Sequence, residues 1–278
     1  MQYSPDKAPL LKYYDRNHRR LIQTGRNATA QFWDDKWQDD QIGVYDKDAV
    51  RPFVELTAEY LPAGAKVLEG GCGTAGKVAA LLDAGYAVTG IDFAEHTVQR
   101  IRRVRPEFEV RVGDVFALPF EADTFDGYWS FGVIEHFWDG YDGLLMEARR
   151  VLREEGHLFL TFPSISPLRA CKAMLGIYPR WEREVEPQGF YQFLLDPNGV
   201  CDALGKNGFE VVHNSRIQAN SGAKQELKLV WKLASLLSNV VPDLLVSRIG
   251  QGFEAAFAST LGHLSLVAAR KKRREGSD

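Results

Sequence analysis

A glycine-rich turn is the most informative chemical feature of the sequence. The run VLEGGCGTAG covers residues 67–76, between a predicted strand and a predicted helix. Glycine allows positive φ and lets a ligand approach the backbone closely, and a helix N-terminus adds partial positive charge. Read as G-x-G-x-x-G, the turn is compatible with a dinucleotide site, so an NAD-dependent oxidoreductase is one interpretation. A tight turn without any ligand is another.

Three carboxylates lie where a nucleoside ligand could use them. Asp92 ends the second predicted strand, where a carboxylate can accept hydrogen bonds from both ribose hydroxyls. Asp114 follows the third predicted strand and can accept from the exocyclic amine of adenine. Glu69 stands two residues before Gly71, close enough to the turn to meet a cationic group. The set suits an unphosphorylated nicotinamide cofactor or another adenosine-containing ligand.

Alternating strands and helices position these residues. Apolar runs that lead into glycine or into a helical pattern predict buried parallel strands. The predicted strands are 65–69, 87–91, 108–112, 124–131, 157–162, 209–215 and 261–270. Helices are predicted at 94–105, 142–152 and 196–207, and directly after the glycine turn. The sequence therefore predicts an α/β, Rossmann-like sheet of seven strands, mostly parallel, with helices on both faces.

Four segments, in the same order and spacing, resemble the class I S-adenosylmethionine-dependent methyltransferases. They are VLEGGCGTAG, GIDFAEHTV, VGDVFALPFEADTFDGYWSFGVIEHF and EARRVLREEGHLFLTFP. The resemblance covers about residues 65–162. Within the family, the chain is similar to the small-molecule branch that includes the ubiquinone and menaquinone biosynthesis methyltransferases. It implies S-adenosyl-L-methionine as the cofactor and one antiparallel edge strand in the sheet. A nicotinamide-binding sheet would not require that edge.

The resemblance also implies a role for each cofactor contact. The implied contacts are Glu69, Gly71, Gly73, Asp92, Phe93, Asp114, Val115 and Ser130. The first three would line the methionine portion, and Asp92 would bind the ribose. Phe93 would pack on the adenine, and Asp114 and the Val115 backbone would contact its polar edge. Ser130 and Phe131 would lie beside the reactive methyl group. Ala75 departs from the family pattern, which often has glycine at that position.

His136 is the candidate catalytic residue, because it follows the fourth predicted strand near the expected acceptor. An imidazole there could take a proton from a hydroxyl, amine or thiol, or it could only shape the pocket. Aromatic residues outside the core motifs are candidates for the acceptor pocket, with simple packing as the alternative. These candidates are Trp33, Trp37, Tyr178, Trp181 and Phe190. No histidine and carboxylate cluster has metal-ligand spacing, so no metal is predicted.

The chain has 278 residues, which is long for one average domain. We predict an N-terminal helical lid at 1–60 and a methyltransferase domain at 61–278, with helical cap insertions at about 164–195 and 216–260. Within the second insertion, apolar residues at helical spacing and interspersed lysines over 223–241 predict a cap helix. Peripheral contact with a membrane or a lipid-like substrate is the alternative.

Charge and cysteine content exclude other classes of function. The net charge is −3, so nucleic acid is not an expected partner, and the basic run at 270–274 is predicted to be solvated. The three separated cysteines fit a reducing, cytoplasmic location, and no apolar segment is long enough to span a membrane.

We expect a methyltransferase that acts by direct displacement on a small, apolar or aromatic acceptor. An NAD-dependent oxidoreductase and a non-catalytic S-adenosylmethionine-binding module are the alternatives. Oxygen, nitrogen, sulfur and carbon acceptors share this scaffold, so the sequence leaves the methylated atom and the oligomeric state open.

Overall fold

The computed structural model of the protein describes residues 10–228, 232 and 243–273. The strands are β1 (Leu11–Asp15), β2 (Arg20–Thr24), β3 (Lys66–Gly70), β4 (Ala87–Asp92), β5 (Glu109–Val112), β6 (Phe125–Phe131), β7 (Leu152–Pro163), β8 (Phe190–Leu194), β9 (Phe209–Ile217) and β10 (Leu264–Lys271). The helices are α1 (Ala30–Lys36), α2 (Lys47–Tyr60), α3 (Gly76–Asp83), α4 (Glu95–Val104), α5 (Asp142–Val151), α6 (Pro167–Met174), α7 (Pro197–Lys206), α8 (Ala219–Glu226) and α9 (Asp243–Leu261). Short 3₁₀ turns lie at Asp39–Gln41 and Ile134–His136.

The predicted seven-stranded sheet is confirmed. Its strand order is β5-β4-β3-β6-β7-β10-β9, and it is mostly parallel with one antiparallel edge. The pairs among β5, β4, β3, β6 and β7 are all parallel. The bounds match the expected strands to within a few residues, apart from β7. That strand begins earlier than predicted, because Leu152 already pairs with Phe125 of β6.

The position of β3 determines where a ligand can bind. Its neighbours are β4 on one side and β6 on the other, although β6 comes two strands later than β4 in the chain. The connections therefore leave β3 in opposite directions. In open α/β sheets the crevice at such a reversal, at the carboxyl ends of the strands, is the usual ligand site. Val67 and Leu68 anchor β3 in the core with no exposed surface.

The chain divides into two compact units. One, the large-sheet unit, comprises the described residues within Asn27–Thr161, Cys201–His213 and Val267–Asp278. The other, the small-sheet unit, comprises those within Met1–Arg26, Phe162–Val200 and Asn214–Leu266. The glycine turn and the three acids that we identified in the sequence all belong to the large-sheet unit.

The small-sheet unit differs from the helical lid and cap that we expected at 1–60 and 164–195. Residues 30–60 do carry α1 and α2, but residues 11–24 form the hairpin β1–β2. In the insertion, α6 is followed by β8, which pairs antiparallel with β2. Aromatic and β-branched residues in these segments favour strands. A pairing between segments so distant in the chain is invisible to a local reading of the sequence.

A buried ion cluster stabilises the small-sheet unit. The carboxylate of Glu226, at the end of α8, accepts hydrogen bonds from Lys12 Nζ (2.5 Å) and Arg169 Nε (3.0 Å). It also accepts from Lys172 Nζ and the Tyr178 hydroxyl, both at 2.6 Å. Burial alone would raise the pKa of Glu226, but the hydrogen bonds and the neighbouring lysines hold this pKa well below its usual range. One carboxylate thus joins β1, α6, α8 and the segment after α6.

The second predicted cap is helical where the structure describes it. The expected helix at 223–241 overlaps the end of α8, which begins earlier and ends at Glu226, and Lys228 and Lys232 are also helical. Residues 229–231 and 233–241, which include most of the predicted apolar face, lie outside the described residues. The structure adds α9, which the sequence did not predict, and the final strand begins at Leu264 rather than at 261. No helix among the described residues is long and apolar enough to cross a membrane.

Thr57 provides a direct test of how α2 is held against the large sheet. The buried indole N–H of Trp129 donates to Thr57 Oγ1 (2.9 Å), and that hydroxyl donates to Phe53 O (2.7 Å). We expect Thr57→Val to lower the free energy of unfolding by about 1–3 kcal/mol, because the indole loses its acceptor in a buried place. Urea denaturation measures the change. Thr57→Ser keeps the hydroxyl and should lose less, and equal losses in both variants would contradict the prediction.

Candidate functional site

A cavity of about 640 Å³ lies in the large-sheet unit, at the carboxyl ends of its central strands. Its walls come from the residues at or just after the ends of β3, β4, β5 and β6, and from α1. The lining residues are Ala28, Trp33, Lys36, Trp37, Gly71, Asp92, Phe93, Val112, Gly113, Asp114, Val115, Phe116, Phe131, Gly132, Val133, His136 and Phe137. The volume is typical of small-molecule and cofactor sites.

The glycine turn after β3 brings the backbone to the edge of this cavity. Gly71 has φ +74° and Gly73 has φ +53°, a region that side chains disfavour. A Cβ on Gly71 would lie 2.6 Å from Val133 Cγ2, and one on Gly73 would lie 2.9 Å from Trp37 Cη2. Ala75 is also left-handed, at φ +58°. That conformation is a physical reason for the glycine that the family often has there, and it adds local strain in this chain.

Asp92 connects the glycine turn to the start of α4. Its Oδ2 accepts from the Gly73 N–H (2.8 Å), and its Oδ1 accepts from the Ala94 N–H (2.9 Å). The carboxylate is 2% exposed, and this burial raises its pKa against the effect of the two hydrogen bonds. Each carboxylate oxygen has a second lone pair, so both can still accept from a ribose hydroxyl.

The residues expected around an adenine line the same cavity. Phe93 follows Asp92 with its side chain 49% exposed, which leaves a ring face available for stacking. Asp114 and Val115 follow β5 and also line the cavity. Asp114 Oδ1 accepts from the Phe116 N–H (2.9 Å), which orients the carboxylate within its turn. The structure brings these residues together as predicted, while their contacts with a cofactor stay predictions.

Glu69 tests whether the site fits a cationic ligand. It is 1% exposed at the end of β3, and its Oε2 has no hydrogen-bond partner. Burial raises the pKa of Glu69 to about 8; Lys77 opposes this shift and Asp92 adds to it. A cation would lower the pKa and give this orphaned oxygen an electrostatic partner. Glu69 therefore fits the positively charged methionine portion of S-adenosylmethionine.

Three predicted cofactor contacts do not line the cavity surface. Glu69, Gly73 and Ser130 are not among its lining residues and lie in β3, in the glycine turn and in β6. Ser130 is 1% exposed, and its Oγ also lacks a hydrogen-bond partner. Glu69 and Ser130 are on neighbouring strands, because Gly70 pairs with Ser130. Two neighbouring strands whose ends reach the cavity thus each carry an unpartnered polar atom.

Trp33 and Trp37 form an aromatic wall of the cavity. Trp33 and Trp37 stack with their ring centroids 5.0 Å apart, and His136 meets the edge of Trp33 at 5.3 Å. Phe131 and Phe137 line the same space. The predicted catalytic histidine and two of the predicted acceptor residues therefore share the cavity with the predicted cofactor residues.

The other three predicted acceptor residues belong to the small-sheet unit. Tyr178 is buried, with its hydroxyl bonded to Glu226 (2.6 Å). Trp181 meets Tyr13 edge-on at 5.4 Å, and Phe190 packs in β8 at 4.7 Å from Phe193. Each has a structural role in its own unit, and a role in acceptor binding stays a prediction.

Several lining residues were not predicted as site residues from the sequence. They are Ala28, Lys36, Val112, Gly113, Phe116, Gly132, Val133 and Phe137. Most are immediate neighbours of predicted residues at the end of a strand. Including every residue that follows the carboxyl end of a central strand would therefore have predicted them. Lys36 lies between Trp33 and Trp37 in the chain and makes a cation–π contact with Trp33 (4.5 Å).

Residues 68–160 match the model of a family described as a methyltransferase domain. A probable S-adenosylmethionine-dependent methyltransferase of Mycolicibacterium smegmatis is 35% identical over 102 residues, which are 37% of this chain and 39% of that protein. These matches support a class I S-adenosylmethionine-dependent methyltransferase domain over about residues 68–160. A demethylmenaquinone methyltransferase of Beutenbergia cavernae is 34% identical over 116 residues, 41% of this chain and 48% of that protein. This match supports in part the likeness to quinone methyltransferases.

One relative extends beyond the methyltransferase domain. A (+)-O-methylkolavelool synthase of Herpetosiphon aurantiacus is 24% identical over 284 residues, 97% of this chain and 95% of that protein. The first relatives, in contrast, match the chain over only about two fifths of their own length. Among solved structures, magnesium protoporphyrin IX methyltransferase of Synechocystis has a TM-score of 0.51 and 16% identity, over 81% of this chain and 83% of that one. This last likeness shows the fold alone.

Asp92→Ala should weaken the binding of S-adenosylhomocysteine about 10- to 100-fold, because it removes charge-assisted hydrogen bonds to the ribose. Isothermal titration calorimetry measures the affinity, and a thermal melt checks that the glycine turn still folds. Glu95→Ala is the matched control, since Glu95 is exposed, begins α4 and does not line the cavity. An unchanged affinity in Asp92→Ala would show that the ribose site is assigned wrongly.

The raised pKa of Glu69 predicts that cofactor affinity increases with pH. Below about pH 8 this carboxyl group is protonated, and a cationic ligand favours its ionised form. Binding of S-adenosylhomocysteine, through its ammonium group, should therefore release a proton below pH 8 and strengthen as pH rises, by at most about tenfold per pH unit. Calorimetry in buffers of different ionisation enthalpy measures this release. Glu69→Gln should abolish it, and equal release in both proteins would contradict the role of Glu69.

Proposed function

We propose that the protein transfers the methyl group of S-adenosylmethionine to a small, apolar or aromatic acceptor. One observation carries the proposal: a single cavity combines the buried acid Asp92 with the aromatic wall of Trp33 and Trp37 and with His136. The carboxylates of the cavity suit the polar cofactor, and its aromatic rings suit an apolar acceptor. The glycine turn between β3 and α3 supplies the close backbone approach.

The cofactor, when bound, supplies an electrophilic methyl group on its sulfonium. The protein then has to hold both molecules in line and keep water out. Asp92 would hold the ribose, Phe93 the adenine and Glu69 the charged methionine portion. Trp33 and Trp37 would orient the acceptor and exclude water. No other group is needed for a direct displacement, apart from a base when the acceptor atom carries a proton.

His136 would be that base. It lies in the 3₁₀ turn after β6, lines the cavity and is held edge-on against Trp33. A neutral imidazole can take the proton that an acceptor hydroxyl, amine or thiol loses as the new bond to carbon forms.

A lipid-like acceptor is the finer part of the proposal. The relative that matches almost the whole chain is named for the synthesis of (+)-O-methylkolavelool, and another for the methylation of demethylmenaquinone. The aromatic lining of the cavity supports an acceptor of this apolar kind. We propose such a small molecule, and not a nucleic acid, as the substrate.

The direct test is transfer of labelled methyl groups. The protein is incubated with S-adenosylmethionine that carries an isotopic methyl label, with either an apolar lipid extract or a pool of polar amines and sugars. Mass spectrometry should find the label in the lipid fraction. Label in the polar pool alone would contradict a lipid-like acceptor. A thermal shift with NAD and none with S-adenosylhomocysteine would contradict methyl transfer itself.

His136→Ala should lower kcat on the identified acceptor by about 10²-fold or more, because general base catalysis contributes about that much. The affinity for S-adenosylhomocysteine should stay within about twofold, since the residue is predicted to serve the acceptor. Phe137→Leu is a control that changes a neighbouring lining residue without changing a base. Full turnover by His136→Ala would exclude a catalytic proton transfer at this residue.

A further inference from the structure

Helix α1 contributes much of the aromatic wall although none of its residues is buried. Trp33 and Lys36 lie on this helix, Trp37 is its C-terminal cap, and all three line the cavity. An isolated helix of seven residues is unstable in water, because the cost of nucleation exceeds what so few hydrogen bonds return. Contacts with another element must therefore hold the wall in place.

The side chain of Asp34 makes such a contact with α4. Asp34 Oδ1 accepts from both the Thr97 N–H (2.8 Å) and the Thr97 hydroxyl (2.6 Å). Arg100 Nη2 donates to the backbone oxygen of Asp34 (2.8 Å) and to Thr97 Oγ1 (3.2 Å). Three of these hydrogen bonds join the middle of α1 to the first turns of α4, and the fourth, from Arg100 to Thr97, lies within α4.

The contact has the geometry of a helix cap supplied by a different helix. The first N–H groups of a helix lack partners within it, and Thr97 is in the first turn of α4. The residue at the N-cap position, Ala94, makes no side-chain cap bond. Asp34 fills this role from α1, and its negative charge also suits the positive end of the α4 dipole.

The same end of α4 is tied to the cofactor site. The helix begins three residues after Asp92, whose Oδ1 accepts from the Ala94 N–H (2.9 Å). The backbone N–H groups of Ala94 and Thr97, three residues apart, thus donate to the predicted ribose acid Asp92 and to Asp34 of α1, respectively. Trp37 in turn lies against the glycine turn, since a Cβ on Gly73 would be 2.9 Å from its ring.

We propose that Asp34 is a positioning residue that holds the Trp33–Trp37 wall against the cofactor cavity by capping α4. It does not line the cavity itself and acts through α1. The proposal rests on the proposed function for its catalytic consequence. Loss of the contact lets α1 detach from α4, so the wall no longer closes the cofactor site or orients the acceptor.

The test compares Asp34→Ala with two matched variants. Asp35→Ala removes the neighbouring carboxylate of the same helix, which is exposed and accepts a hydrogen bond from Gln31 Nε2 within α1 (2.7 Å). Asp34→Asn keeps the accepting oxygen. In the ligand-free proteins, hydrogen exchange of the peptide covering residues 30–37 should be fastest in Asp34→Ala. Asp35→Ala and Asp34→Asn should resemble the wild type.

The second readout is binding and turnover. The dissociation constant of S-adenosylhomocysteine should rise about tenfold in Asp34→Ala, the size expected for loss of a helix cap. The KM for the acceptor should rise more than kcat falls, because the wall binds the acceptor but takes no part in bond making. Asp34→Asn should restore both values to within about threefold.

The outcomes separate this inference from the proposed function. If the wild type does not bind S-adenosylhomocysteine, the proposed function fails, and hydrogen exchange still tests the contact between α1 and α4. If the wild type binds it and Asp34→Ala equals Asp35→Ala in both exchange and affinity, the positioning role is overturned. If Asp34→Ala does not fold, Thr97→Val, which removes only the hydroxyl, decides the question: it should show the same changes at a smaller size, and wild-type values would overturn the role.

Discussion

The buried carboxylate of Asp92 is the interaction on which the site depends. It is 2% exposed and accepts from the backbone of Gly73 and of Ala94. These bonds hold the glycine turn after β3 and the start of α4 at one point, and they offset part of the cost of burying the acid. If either segment moved, this largely buried carboxylate would lose a hydrogen-bond partner. The shape of the cavity therefore depends on whether the carboxylate of Asp92 keeps its two hydrogen-bond donors.

The strand ends and the aromatic wall that line the cavity are held in place by different forces. The strand ends on the cofactor side belong to a core in which residues such as Val67 and Ile91 have no exposed surface. The aromatic wall is carried by α1, which has no fully buried residue and bonds to α4 through Asp34. Apolar packing gives a rigid floor, while a polar contact at the surface can open at lower cost. This difference suits a site in which the cofactor is common to a family and the acceptor is specific to one protein.

Local patterns in the sequence predicted the sheet well, and most of the residues that we propose for the cofactor line one cavity; both depend on short stretches of chain. A run such as VLEGG followed by a helical pattern specifies a strand, a turn and a helix together, and Asp92 and Asp114 follow from the ends of the next strands. The small-sheet unit was predicted poorly. The pairing of β2 with β8 joins residues 20–24 to 190–194, and neither segment reveals its partner.

The sequence by itself determined the fold class and the likeness to class I methyltransferases, and it pointed to the acids that we propose for the cofactor site. Backbone conformation at glycine and the ends of apolar strands are local properties, so both can be predicted from a short stretch of sequence. Only the tertiary structure decided which aromatic residues face the cavity. It brings Trp33, Trp37 and His136 together, and it places Tyr178 in an ion cluster around Glu226. Contacts between distant segments depend on how whole elements pack, and an aromatic side chain suits a core, a hairpin and a ligand site equally well.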